Sequence, residues 1–217
     1  MDPLTPIPAL PDLPRRRLLL GSAALLAAPP FLRDARAQSR LALTPAQTEG
    51  PFYPVELPAD SDADLLVQGA QRYAKGRPAW LDGVVTDAAG RPVRGAVVEI
   101  WQCDADGHYH HPGDGGRADP AFQGFGRTSV AADGSYRFRT MRPVAYSGRT
   151  PHIHVKVRLG SRELLTTQLY VEGEPLNERD GLWRRLDAAG RAALTVPFRA
   201  GTGGDALRAR FPIVVAA

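Results

Sequence analysis

One short run limits what this chain can become: Thr150-Pro151-His152-Ile153-His154-Val155-Lys156-Val157. Its alternation predicts a β-strand with His152 and His154 on one face and Ile153, Val155 and Val157 on the other. Two residues along a strand span about 6.6 Å, so both imidazoles can reach one metal ion from the same side. On a helix the same spacing would send the rings to nearly opposite sides. The apolar face suits a core, so a single strand is expected to carry both fold and chemistry. Histidine pairs of this kind also occur incidentally, and the surrounding residues have to decide.

With 217 residues, 22 Gly and 20 Pro, the chain suits one domain plus a leader, rich in turns and able to bury a core. No long run has helical periodicity, which favours strands. The formal charge is only +4, part of it in the leader. The remaining positive charge is scattered along the sequence without interleaved aromatics, an argument against nucleic-acid binding. Cys103 is the only cysteine, so no intrachain disulfide exists. A buried free thiol beside Trp101 is expected in preference to a catalytic one.

Residues 1–37 read as an export signal. Arg15, Arg16 and Arg17 precede the apolar run Leu18 to Ala28, which is short for a permanent membrane span, and Ala35-Arg36-Ala37 offers a cleavage site before Gln38. The pattern Arg15-Arg16-x-Leu18-Leu19 resembles the twin-arginine signal, whose route carries folded proteins, here to the periplasm. After removal no stable membrane span is expected. An ordinary secretory leader or an uncleaved anchor is the alternative.

Residues 38–217 are expected to form a single domain. It opens with Thr44 to Pro54, punctuated by prolines too closely for a helix or central strand, and read as an extended strap. Asp60 to Asp64 is read as a mobile acidic loop. Strands are expected at Leu81–Thr86, Ala96–Trp101, Ser135–Arg139, the His152 run, Leu164–Val171, Ala193–Phe198 and Ala206–Val215. Turns fall at Asp87–Gly90, Asp104–Gly107, Asp133-Gly134 and Asp187–Gly190, where Gly follows Asp. Asn177–Leu186 is a candidate short helix. The fold class is therefore all-β: a β-sandwich with long loops and at most one or two short helices.

Two tyrosines sit near the histidine pair. Tyr146 lies in Arg142-Pro143-Val144-Ala145-Tyr146-Ser147-Gly148-Arg149, and Tyr109 in Trp101-Gln102-Cys103-Asp104-Ala105-Asp106-Gly107-His108-Tyr109. Each alone would be an ordinary half-buried aromatic. Together with Thr48-Glu49-Gly50-Pro51-Phe52-Tyr53 and Gln168-Leu169-Tyr170-Val171-Glu172-Gly173, the blocks resemble the intradiol ring-cleavage dioxygenases, relatives of protocatechuate 3,4-dioxygenase and catechol 1,2-dioxygenase. The resemblance covers about Thr44 to Leu186, in the family's order.

The resemblance implies a non-haem Fe(III) held by Tyr109, Tyr146, His152 and His154. That donor set is chemically coherent. A phenol titrates near ~10 in water, so a phenolate ligand at neutral pH requires a strong Lewis acid. Two phenolates and a hydroxide would cancel the ion's charge within a partly apolar cleft. By the same resemblance, a catechol chelates the iron, Tyr146 is the axial ligand that leaves and takes a proton, His152 is axial, and Tyr109 and His154 are equatorial. Dioxygen then opens the ring between its two hydroxylated carbons to a cis,cis-muconate-type diacid. Arg149 matches an arginine that stabilises negative charge on the ring, Gln168 an active-site glutamine, and Gly50 and Pro51 a segment lining the substrate pocket. His108, His110 and His111 are read as solvated loop residues at the pocket mouth.

The sequence also departs from its relatives. Little chain separates Gln38 from Thr48, leaving no room for the helical N-terminal domain of the catechol 1,2-dioxygenases. Ser147-Gly148 stand where protocatechuate enzymes carry an aromatic, and the Tyr146–His152 loop is shorter than theirs. These differences bear on the ring substituent, not on the ligands. The expected partners are a small catecholic substrate and O2, with no nucleic acid, and the family often assembles into homo-oligomers. Two rival readings remain at this point: an exported, non-catalytic transthyretin-like β-sandwich that binds a partner, and a ferrous site of His152, His154 and a carboxylate such as Glu99.

Overall fold

The structure, a computed structural model, describes residues 40–201, 204 and 206–217. The export-signal reading of residues 1–37 lies outside the described residues. Twelve strands appear in chain order: β1 (Val67–Gln68), β2 (Gln71–Arg72), β3 (Pro78–Asp87), β4 (Ala96–Trp101), β5 (Phe125–Ser129), β6 (Ser135–Met141), β7 (His152–Leu159), β8 (Arg162–Val171), β9 (Thr195–Val196), β10 (Arg199–Ala200), β11 (Leu207–Arg210) and β12 (Ile213–Val215). Two short helices, α1 (Gly181–Arg184) and α2 (Ala188–Leu194), and two 3-10 turns complete the described elements. The expected all-β architecture is what the chain adopts.

Two five-stranded sheets form the sandwich. In the first, β3 pairs antiparallel with β6 and parallel with β11 and β12, and β10 extends β11. The second runs β5-β4-β7-β8-β9, antiparallel except for the parallel β8–β9 pair. Between them lies one continuous core, with Leu81, Val85, Phe138 and Ile213 from the first sheet meeting Val98, Ile100, Ile153, Val155, Val157 and Leu169 from the second. Ile153, Val155 and Val157 are completely buried; each such side chain contributes about 1.5–3 kcal/mol. The same pleat turns His152 and His154 to the opposite, outer face of the second sheet. On the first sheet alternation has another result: Arg137 and Arg208 converge on Asp82, so charges that look scattered in sequence gather on one surface.

Several local expectations are corrected. Asp187–Gly190 is not a hairpin turn: Asp187 accepts from Gly190 N at 2.7 Å and caps α2, whose Arg191-Ala192-Ala193-Leu194 continues as good helix formers. That helix takes Ala193 and Leu194 out of the expected strand and leaves only β9. The Asn177–Leu186 segment is a 3-10 turn (Pro175–Arg179) followed by α1, broken at Asp180, which caps the second piece. Phe211-Pro212 interrupts the last strand into β11 and β12, because proline has no N–H for a ladder. The acidic loop is tethered: Asp64 pairs with Arg139 at 3.2 Å and Leu65 donates to the Arg139 carbonyl at 2.8 Å.

Candidate metal centre

His152 and His154 project from β7 and are each 1 % exposed. Their Nε2 atoms stand 3.2 Å apart. Burial, reinforced by the Arg149 charge, pulls His152 down to about 4. Burial, then the neighbouring His152 and Arg149, holds His154 well below the ordinary imidazole range. Both rings are therefore neutral donors near pH 7. Nδ1 of His152 lies 2.7 Å from the Thr150 carbonyl; a carbonyl only accepts, so Nδ1 carries the proton and Nε2 offers a lone pair. His154 is placed by packing instead, its ring flat on Trp101, while its buried Nδ1 has no hydrogen-bond partner among the described residues.

The two tyrosines complete the cluster. Tyr109, 3 % exposed, follows the turn after β4; its ring centroid is 5.0 Å from that of Tyr146 and 6.1 Å from that of His154. Tyr146 lies 5.4 Å from His152, centroid to centroid, and is the less buried of the two phenols. Gly107 makes this approach possible: at φ +84°, it would set a Cβ 3.4 Å from the Tyr146 Cβ. Burial raises both phenols, Tyr109 further because Tyr146 and Cys103 also oppose its charge, whereas the Tyr109 hydroxyl and then Arg149 draw Tyr146 partly back. The Tyr109 hydroxyl is buried beside that of Tyr146 and, among the described residues, makes no hydrogen bond of good geometry.

These features test whether an iron ion fits. Two facing imidazole nitrogens can share at most one proton, and a buried phenol without a partner is costly, by about 1–3 kcal/mol. A cation between the four groups would satisfy them together, and a hard ferric ion matches two phenolate oxygens better than a soft one. The residues fit the group. The ferrous facial-triad reading does not survive: among the described residues no group of three His, Cys, Asp or Glu side chains could hold a metal. Glu99 is instead occupied as the acceptor of the Tyr53 hydroxyl at 2.9 Å.

Around the cluster, Arg149 donates Nε to Asp180 Oδ2 and Nη2 to Gln168 Oε1, both at 2.7 Å. Gln168, fully buried on β8 opposite His154, donates Nε2 to the Thr48 carbonyl at 3.0 Å. Gly50 belongs to the site through its backbone: a Cβ there would lie 3.2 Å from His154 Cε1. Pro51 beside it is exposed. Phe52 stacks on Tyr109 with centroids 4.7 Å apart, and a groove of about 540 Å³ lined by Phe52, Val55, Trp101, Tyr109 and Phe125 adjoins the cluster. None of His108, His110 and His111 joins the four-residue cluster, although His110 lines the groove: His110 Nε2 contacts the Phe122 carbonyl at 2.6 Å, His111 Nδ1 accepts from Gly113 N, and His108 faces Asp114 at 3.4 Å. Cys103 is a buried thiol pushed up to about 12 by burial and by Asp104, with no nucleophilic character.

Trp101, Phe52 and Asp180 carry roles that the sequence motifs alone did not assign. Trp101 lies in the Trp101–Tyr109 run, but only the β4–β7 register, which sets it opposite His154, shows what it does.

Comparison with known proteins agrees with this geometry. Residues 48–216 match a family model described as Dioxygenase. The chain is 36% identical over 180 residues to the protocatechuate 3,4-dioxygenase beta chain of Burkholderia cepacia, covering 76% of each chain. It is 31% identical over 199 residues to hydroxyquinol 1,2-dioxygenase of Corynebacterium glutamicum, covering 80% of this chain and 64% of that one. Over 193 residues it is 32% identical to catechol 1,2-dioxygenase 1 of Acinetobacter lwoffii, spanning 76% of this chain and 56% of the relative. Among solved structures, the dioxygenase domain of a dioxygenase carbohydrate-binding protein fusion from Streptomyces sp. SirexAA-E superposes with a TM-score of 0.63 at 35% identity, covering 80% of this chain and 97% of that domain. From motif order, donor geometry and these likenesses together, the chain belongs to the intradiol ring-cleavage dioxygenases, a family of ring-opening oxidoreductases.

Proposed function

We propose that this protein is a non-haem Fe(III) dioxygenase that opens a catecholic ring between its two hydroxylated carbons, placing both atoms of O2 in a cis,cis-muconate-type diacid. The observation that carries the reading is the meeting of two neutral imidazole nitrogens, 3.2 Å apart, with two buried phenols. Tyr109, Tyr146, His152 and His154 would hold the metal. When bound, ferric iron supplies the Lewis acidity that keeps two phenols ionised near neutral pH and activates an aromatic diol toward dioxygen.

The chain's own residues divide the remaining work. Tyr146, the less buried phenol, can swing away and take a substrate proton at its Oη. Tyr109, packed under Phe52, cannot. Arg149 places a fixed positive charge beside the phenols and histidines, where negative charge on the ring would build up. Gln168 fixes that guanidinium against the strap. Gly50 lets the strap lie close to His154, and substrate contact by Gly50 and Pro51 belongs to the same proposal.

Export as a folded, metal-loaded protein through the twin-arginine-like leader belongs to the same proposal, and N-terminal sequencing of the mature protein tests it. For the chemistry, the test combines iron analysis, visible absorption, and oxygen uptake with product identification on catechol, protocatechuate and hydroxyquinol. Ferric phenolate charge transfer should colour the protein burgundy, and one O2 should be consumed per ring. A colourless iron-loaded protein, or no ring-opened acid from any catechol, would defeat the proposal. Among the described residues nothing favours the non-catalytic binding-module reading.

A further inference from the structure

Arg149 and the start of β7 are held from outside the strand they serve. The holding group is one carboxylate 31 residues away in sequence. Asp180 has no exposed side-chain surface and accepts four hydrogen bonds with its two oxygens. Oδ1 takes Leu182 N at 2.9 Å and Trp183 N at 3.1 Å, capping α1. Oδ2 takes Arg149 Nε at 2.7 Å and Thr150 N at 3.1 Å. Asn177 of the preceding 3-10 turn adds a second clamp, accepting from Thr150 Oγ1 at 2.8 Å while donating to the Val171 carbonyl at 2.9 Å.

The Thr150 carbonyl in turn receives His152 Nδ1. A single buried anion is thus wired to the guanidinium directly and to an imidazole through one peptide. An N-cap alone needs a small polar acceptor, and serine serves as well as aspartate. A neutral cap would leave Arg149 half buried, without its counter-charge and with its Nε no longer tied, held by Gln168 at Nη2.

We infer that Asp180 is a positioning residue for the ring-opening reaction, aiming Arg149 at the substrate site and fixing Thr150 beneath His152. The inference rests on the proposed reaction, because Arg149 matters only if negative charge forms on the substrate. The carboxylate works through Arg149 and Thr150 and touches no substrate itself.

The test uses the full chain with Asp180→Asn and Asp180→Ser, the second keeping the α1 cap while removing the contact with Arg149. Both should retain iron and the visible band. Turnover on the best catechol should fall about 10- to 100-fold, the usual effect of losing a supporting partner, with KM moving less than kcat. In an Arg149→Ala background the same substitutions should cost far less, only what the Thr150 contact contributes. In metal-free wild-type protein the Arg149 Nε–H should exchange slowly with solvent, and faster in both variants, most of all in Asp180→Ser.

Equal losses in the two backgrounds, or unchanged exchange in both variants, would overturn the inference. Near-normal turnover by Asp180→Ser would do the same. The exchange measurement needs no substrate, so it separates failure of this contact from failure of the catechol reading, which would appear as wild-type protein that forms no ring-opened acid from any catechol.

Discussion

Trp101 lies flat against His154, the ring centroids 4.7 Å apart and the planes 8° from parallel. The two residues face each other across the β4–β7 ladder, and no hydrogen bond orients the His154 Nδ1. Stacking therefore does for His154 what the Thr150 carbonyl does for His152. Trp101→Leu should weaken iron binding about 10-fold or more and broaden the visible band, while Trp101→Phe keeps most of both. Iron titration of the purified variants checks this, and an unchanged affinity for Trp101→Leu would leave the stack without a role.

Gly50 has φ +75°, and its missing side chain leaves His154 Cε1 room. Gly50→Ala meets two penalties: a left-handed backbone worth about 1–2 kcal/mol for a residue with a Cβ, and a contact tighter than packed atoms normally accept. The strap must lift or the imidazole must turn. The expected result is a lower melting temperature together with slower substrate association, measured by stopped-flow absorbance. A variant with the first change alone would place Gly50 in the fold rather than the site.

Lys156 fastens the strap to the sheet. Its ammonium meets Glu49 of the strap and Glu163 of β8 and sits 3.9 Å above the Tyr53 ring. Tyr53 donates to Glu99, whose residue is 3 % exposed; burial and that bond push the Tyr53 phenol well above its ordinary value, so it stays a donor. Lys156→Met should keep the packing but withdraw the cation stacked on Tyr53, lowering stability by about 1–3 kcal/mol. Chemical denaturation gives that number. Limited proteolysis at the strap should speed up in parallel, and resistance equal to wild type would show the strap held by other means.

Asp180 also predicts an acid limb of stability. Burial alone would raise its carboxyl, but the Arg149 guanidinium and the backbone N–H groups of Trp183 and Thr150 hold it below the ordinary carboxylate value. A depressed folded value means the unfolded chain takes up the proton first. The stabilisation is then complete above about pH 3.9 and is lost as pH falls through the lower folded value. Melting temperature of the metal-free protein, followed from pH 6 to strongly acid solution, should drop more steeply for wild type than for Asp180→Asn. Parallel curves would contradict the shift.

What the sequence revealed follows the range of the interactions involved. The strand carrying His152 was legible because burial of Ile153, Val155 and Val157 leaves a period of two, and the motif order supplied the tyrosines. The role of Trp101 was not, since cross-strand register between β4 and β7 is absent from either strand alone. Asp180 and Asp187 illustrate the local limit. The same aspartate–backbone bond closes a turn or caps a helix, and only the residues after it decide. With Asp187 the helix-forming run to Leu194 decided for the helix. The arginines of the first sheet, spread in sequence, meet only because β6 and β11 both flank β3.

Because β7 presents its imidazoles on one side and its branched aliphatics on the other, its registration with β4 and β8 is enforced twice. Sliding it by one position would carry histidines into the hydrocarbon interior and valines against the phenols, forfeiting cohesion and chemistry in the same displacement. A single-residue insertion at Gly160-Ser161, where β7 turns into β8, is thus confined to lengthening the hairpin tip.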